Sequence, residues 1–386
     1  MTIVDCDTHF FPKDAFDYLE GALADRRPRL IFDGEVLSDI KFGEGPSAER
    51  GATPLPAPGS GAHYLGMTDG SSRMEVYADL GIEKQLVLPQ FSGWWSYTIE
   101  PELGQALAHS LNVSMLRFAK EHAGAVMPVA LVAMQDVATA IAEAEWAHAN
   151  GFSAVVLDYV FPVAENSLGS PTAIHRELWP FFAKCEELDL PIYFHAVQHG
   201  HRLVNLHNFQ MDGLDIFVPS EAQMNLVALI TTGLLDKYPR LKIIHAEQGA
   251  GYIQPLAEWL DRLHGPVVAA YEAGEGVVLG NRRKLSPRAP QLVTPDEAEE
   301  KNRHLPSHYF RTNFYWTIET EEPELMGGID FLGADRFLFA TDYPHDDPGG
   351  AMKFEDVKLL AANDRLTEAV KDQLRYQNAE RVFNLA

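Results

Sequence analysis

The sequence predicts an α/β protein, a closed (β/α)8 TIM barrel with long loop insertions after its first and sixth strands. Short apolar, β-branched runs alternate with longer amphipathic stretches, the rhythm of repeated βα units. There are eight such runs, at 3–6, 85–88, 126–132, 154–157, 192–195, 241–245, 310–316 and 336–340, and helical patterns lie between them at 102–122, 137–149, 177–188 and 254–263. No Gly-rich dinucleotide fingerprint follows the first run, which sets aside an open doubly wound sheet. Barrels run past roughly 250 residues once loops are inserted, so the 386 residues are read as one barrel domain over 1–386.

Two segments break the rhythm. Residues 26–73 are rich in Gly and Pro, as in Leu55-Pro56-Ala57-Pro58-Gly59-Ser60-Gly61, and residues 265–306 are similarly irregular. Both follow barrel strands and so emerge at the carboxyl-end face where barrel enzymes keep their active sites. They are candidate lids or plain surface insertions. Formal net charge is −24, with Lys+Arg 31 against Asp+Glu 55. Such an acidic surface repels phosphate backbones and anionic lipid, which argues against nucleic acid and membrane surfaces as partners and for a small-molecule substrate. Cys6 and Cys185 are too few for a disulfide scaffold and read as core filling, consistent with a reducing cytoplasm. No signal peptide and no membrane-length apolar run is visible.

The chemistry sits at the strand ends. The first run continues Asp5-Cys6-Asp7-Thr8-His9. Strand side chains alternate faces, so Asp7 and His9 point the same way and can share one divalent ion; Asp5 lies on that face as a competitor. The fifth run ends in His195 and the sixth in His245, while the eighth leads into Thr341-Asp342-Tyr343-Pro344-His345. A single such histidine is more often a hydrogen-bonded core residue, but four strand ends meeting at one barrel mouth are hard to explain by packing. His345 is placed either to orient Asp342 and meet substrate or to begin a turn with Asp346-Asp347-Pro348. Trp94, after the second strand, and Trp316, ending the seventh, are candidates for walling a substrate pocket. His199, His201 and His207, after the fifth strand, read as solvated loop.

The set Asp7-x-His9, His195, His245 and Asp342 with Tyr343-Pro344-His345 resembles the amidohydrolase superfamily, in its branch related to aminocarboxymuconate semialdehyde decarboxylase. The similarity extends through Arg73-Met74, Gly81-Ile82 and the closing Asn378-Ala379-Glu380-Arg381-Val382-Phe383. The resemblance implies one divalent metal ion, zinc or manganese, held by Asp7, His9, His195 and Asp342, with His245 beside it as a catalytic group and Asp342 also moving a proton. The commoner pattern begins His-x-His; the acidic Asp7 looks like the resorcylate-type and carboxyvanillate-type decarboxylases, and an oxygen ligand tilts the choice toward manganese. The resemblance thus implies a decarboxylase of a small aromatic or unsaturated carboxylic acid. The alternative is a metal-dependent hydrolase of an amide, ester, lactone or carbon–carbon bond, and a barrel that only binds a ligand is the non-enzymatic reading. A homodimer is implied by the resemblance alone.

Overall fold

The computed structural model describes residues 2–41, 64–90, 100–158, 160–161, 170–171, 175–195, 213–272, 303–318, 320, 322–345 and 354–385. Its centre is a sheet of eight parallel strands in chain order: β1 (Val4–Phe10), β2 (Lys84–Pro89), β3 (Val126–Leu131), β4 (Ala154–Asp158), β5 (Ile192–His195), β6 (Ile243–His245), β7 (Phe314–Ile318) and β8 (Phe337–Phe339). Strands such as β1 and β7 are buried at every position, as expected when a parallel sheet is covered on both faces. The seam from the last strand to the first is bridged just beyond β8. There the Asp342 N–H donates to the Asp7 carbonyl at 3.0 Å, and the His9 N–H donates to the Tyr343 carbonyl at 2.7 Å. The sheet is therefore nearly closed into the predicted barrel.

Helices pack around it: α1 (Gly70–Leu80), α2 (Pro101–Glu121), α3 (Val137–Ala149), α4 (Trp179–Glu187), α5 (Gly213–Thr231), α6 (Ile253–Glu272), α7 (Pro306–Thr312) and α8 (Leu325–Leu332). Their ends follow from local chemistry. Asp69 caps α1 by accepting from the Ser72 N–H at 2.8 Å, and Gly81 stops it in the left-handed region at φ 74°. Asp136 caps α3 in the same way through the Thr139 N–H. Among the described residues, no helix is long and apolar enough to cross a membrane.

Three expectations need correction. Within residues 26–73, an antiparallel hairpin pairs Arg29–Asp33 with Val36–Lys41, so that segment is not loop throughout; residues 42–63 lie outside the described ones. Helix α6 runs on to Glu272, past the expected irregular start at 265, and residues 273–302 lie outside the described ones. The seventh strand starts at Phe314 and not at 310, because Pro306 opens α7 and Phe310 packs as a helical residue onto Trp316.

Register decides which side chains see the barrel lumen. Paired residues in a parallel ladder point to the same face. His245 pairs with Phe194 on one side and Trp316 on the other, while Ile244 pairs with Tyr193. The Tyr193 hydroxyl crosses the barrel to donate to the Cys6 carbonyl at 2.6 Å. So Tyr193, His195 and, on β7, Thr317 face the lumen, and Phe194, His245 and Trp316 face the helices.

Candidate metal centre

At the carboxyl ends of the strands, six titratable side chains converge in the lumen. His9 Nε2 lies 3.7 Å from Asp7 Oδ1, 3.0 Å from Asp342 Oδ1 and 3.7 Å from Glu247 Oε1. His195 Nε2 lies 3.3 Å from Asp7 Oδ1 and 3.6 Å from Glu247 Oε2. His345 stacks on His9 with ring centroids 4.4 Å apart, and its Nδ1 lies 3.0 Å from Asp342 Oδ1 and 3.4 Å from Glu247 Oε1. Two overlapping ligand groups result, Asp7–His9–His195 and His9–Glu247–Asp342–His345, with the donor atoms of each within 4.8 Å of one another.

Supporting contacts aim these groups. The Glu247 N–H donates to Thr317 Oγ1 at 3.2 Å, so the hydroxyl's own proton goes to Asp7 Oδ2 at 2.8 Å. That leaves Asp7 Oδ1 turned to the cluster. Gln90 Oε1 lies 3.0 Å from His345 Nε2, which places a proton on that nitrogen and turns Nδ1 to Asp342. Asp342 and Glu247 are the non-glycine residues of the cluster with left-handed backbone, at φ 52° and 55°. Such conformations cost about 1 kcal/mol or more and concentrate at functional sites.

Electrostatics follow from crowding three carboxylates among three imidazoles. Burial pushes the Asp342 carboxyl up, and the Glu247 charge pushes it further, against the opposing pull of His345 and His9. Burial also acts upward on Glu247, but His195, His345 and His9 outweigh it and hold that carboxyl well below the usual range. Burial disfavours charge on His345, yet Asp342 and Glu247 hold it well above an ordinary imidazole.

Among the described residues, the buried Asp7 Oδ1, His9 Nε2 and Asp342 Oδ1 have no hydrogen-bond partner. Buried polar atoms are ordinarily satisfied. Three orphans facing one small space, made of carboxylate oxygen and imidazole nitrogen, are the donor set a divalent ion takes. The residues fit a metal.

The structure thus brings Asp7, His9, His195, Asp342 and His345 together. It places His245 elsewhere. That ring points away from the lumen, with Nε2 3.1 Å from the Ala222 carbonyl and Nδ1 2.8 Å from the Tyr252 hydroxyl. Since the carbonyl only accepts, Nε2 carries the proton and the Tyr252 hydroxyl donates to Nδ1. Burial drives its pKa down to about 3, so the ring is neutral. The expected position beside the metal for His245 does not match this placement, because the strand pleat turns it outward. Trp316 shares that outer face; fully buried, it donates from Nε1 to the Tyr252 hydroxyl at 3.0 Å, which does not match a pocket wall. Asp5, the competing ligand, bonds instead to Thr341 and Tyr77. Trp94, His199, His201 and His207 lie outside the described residues.

Sequence reasoning missed Glu247, Thr317 and Gln90. Glu247 had a visible signal, an acid two residues past a strand-terminal histidine, but its entry into the lumen depends on the left-handed turn after β6.

Comparison with known proteins places the chain in a family. A family described as amidohydrolase matches residues 4–385. Gamma-resorcylate decarboxylase of Polaromonas sp. is 26% identical over 217 residues, covering 54% of this chain and 55% of that protein. The enzyme of the same name from Rhizobium sp. is 28% identical over 212 residues, covering 53% and 54%. The chain thus spans about half the length of the curated relatives it matches. Among solved structures, 5-carboxyvanillate decarboxylase of Novosphingobium aromaticivorans, with bound manganese and 3-methoxy-4-hydroxy-5-nitrobenzoic acid, superimposes with TM-score 0.73 at 20% identity, covering 100% of this chain and 97% of that one. A 2,6-dihydroxybenzoate decarboxylase complexed with 2,6-dihydroxybenzoate gives TM-score 0.69 at 19% identity, covering 100% of both chains.

Proposed function

From the premise that the chain belongs to the amidohydrolase family, which spans residues 4–385, we propose that it is a metal-dependent decarboxylase of a small aromatic or unsaturated carboxylic acid. The observation that carries this is the cluster of buried ligand atoms on Asp7, His9 and Asp342 at the barrel mouth that make no well-formed hydrogen bond, and relatives over half its length are aromatic-acid decarboxylases. Residues 1–386 act as one barrel domain in this reading.

Asp7, His9, His195 and Asp342 hold one divalent ion, zinc or manganese, and three carboxylates in the cluster favour manganese, the ion bound in the carboxyvanillate enzyme's structure. When bound, such an ion supplies Lewis acidity toward a substrate's carboxylate and neighbouring oxygen. Asp342 carries the proton that replaces the departing carboxyl group at the substrate carbon. His345, 3.1 Å from Asp342 Oδ2 and anchored through Gln90, orients Asp342 and restores its proton. Glu247 takes the lumen place expected for His245 and keeps His195, His9 and His345 in register.

A metal-dependent hydrolase would use the same side chains, with Asp342 taking a proton from water. The two are separated by incubating the manganese-loaded protein with hydroxylated benzoates in deuterium oxide. The decarboxylase reading expects CO2 release with one deuterium at the former carboxyl carbon. No CO2 from any such acid, with labelled water oxygen entering an ester or lactone product instead, would overturn it.

A further inference from the structure

Behind the cluster lies a second polar assembly that touches none of the proposed ligand atoms. Arg73, on α1, is fully buried, and an uncompensated buried guanidinium is costly. Each of its three nitrogens has a partner. Nε donates to Gln85 Oε1 at 2.6 Å, Nη1 donates to the His9 carbonyl at 2.6 Å, and Nη2 donates to Thr8 Oγ1. The guanidinium lies against both the Tyr77 and Tyr343 rings, 5.0 Å from each centroid. Thr8, having accepted from Arg73, donates its own proton to the Tyr343 carbonyl at 2.9 Å.

The balancing charge is Asp5, also fully buried. Tyr77 joins the two: its hydroxyl sits 3.5 Å from Arg73 Nη2 and donates to Asp5 Oδ2 at 2.9 Å. Asp5 then accepts from the Thr341 hydroxyl at 2.5 Å, the Thr341 N–H at 3.1 Å and the Asp7 N–H at 3.3 Å. So one end of the assembly grips the Thr8 hydroxyl and the His9 carbonyl, and the other grips the backbone at Asp7 and Thr341. Between those grips stand Asp7, His9 and Asp342. Gly66 closes the back: a Cβ there would lie 2.0 Å from the Tyr343 hydroxyl, so only glycine lets α1's approach seat that ring.

We propose that the Arg73–Tyr77–Asp5 assembly positions the cation site, setting the separation between the β1 ligands and Asp342, with Arg73 and Tyr77 as positioning residues. This rests on the metal reading above. It predicts that loosening the assembly weakens cation affinity while every ligand side chain remains.

The test measures manganese affinity of the full chain by competition with a chromophoric chelator, together with the electron paramagnetic resonance spectrum of the bound ion. Tyr77→Phe removes one hydroxyl and keeps the ring; we expect affinity about 10- to 100-fold weaker, the range for losing a contact behind a ligand, and an altered spectrum with apo-protein melting close to wild type. Arg73→Met should weaken binding further and Arg73→Lys should recover part of it, since a lysine keeps the charge but cannot make the forked contacts. Should Arg73→Met not fold, Tyr77→Phe alone decides. A folded Tyr77→Phe protein with wild-type affinity and spectrum overturns the inference and leaves the metal reading standing. Wild-type protein that binds neither manganese nor zinc overturns both.

Discussion

The barrel wall carries two buried polar assemblies on opposite faces, and the two are built to opposite rules. On the outer face, the polar side-chain atoms of three residues are matched: Trp316 Nε1 donates to Tyr252, Tyr252 to His245 Nδ1, and His245 Nε2 to the Ala222 carbonyl. On the lumen face, Asp7 Oδ1, His9 Nε2 and Asp342 Oδ1 point at one space with no hydrogen-bond partner among the described residues. A chain of satisfied neutral groups ties helices α5 and α6 to the sheet. A knot of carboxylates and imidazoles short of well-formed hydrogen bonds is costly to fold. Two histidines that end neighbouring strands, His195 and His245, therefore have different work, and only their partners distinguish them.

The sharpest way to break this contrast is to remove the proposed proton carrier. Asp342→Asn should lower turnover of a hydroxybenzoate by roughly 10²- to 10⁴-fold at saturating manganese, the usual worth of a positioned acid; turnover within a few-fold of wild type would remove Asp342 from the chemistry. Next comes the metal itself. Wild type should show a metal-dependent rise in melting temperature and His9→Ala should abolish it, because a ligand that binds only the folded state stabilises it by mass action. Persistence of that rise would move the ion elsewhere.

On the outer face the signs reverse. His245→Ala should cost about 1–3 kcal/mol of stability, by leaving Tyr252 and the Ala222 carbonyl unmatched, while metal stoichiometry in denaturation-free analysis stays at the wild-type value. Loss of the ion with unchanged melting would place His245 in the site after all. Stability should also depend on pH. His245 has a folded pKa of about 3 against 6.5 unfolded, so between those values the unfolded chain binds the proton first. Its contribution is intact above pH 6.5 and lost as pH falls toward 3, at up to roughly 1.4 kcal/mol per unit. Asp5, raised by burial to about 6 from 3.8, works in the opposite direction: protonated in the fold, it favours folding at acid pH and loses that advantage as pH rises through 6. Urea unfolding of wild type and His245→Gln between pH 4 and 7 should show the variant with a shallower acid loss; parallel profiles would contradict the neutral, buried assignment.

How much of this was legible in the sequence follows from the same two faces. Asp7, His9, His195 and Asp342 could be read because each stands where an apolar run stops, a place where packing has no use for charge. The facing of His245 and Trp316 could not, since both sides of a barrel strand are apolar and alternation fixes only relative orientation. Glu247 stayed hidden because strand periodicity ends at His245 and the backbone then turns left-handed. Thr317 was hidden by its neighbour: the larger Trp316 draws attention to the outer face while the small hydroxyl aims Asp7. The barrel itself was visible throughout, whereas the hairpin at Arg29–Asp33 and Val36–Lys41 is a local structure inside a Gly- and Pro-rich segment with no core periodicity.

The central claim is that a cation completes the lumen face, and anomalous diffraction at the manganese edge from crystals of the loaded protein tests it most directly. The account predicts one peak at bonding distance, about 2.0–2.2 Å, from Asp7, His9, His195 and Asp342. A peak seated on His245, or no peak at the mouth of the barrel under saturating manganese or zinc, would contradict it.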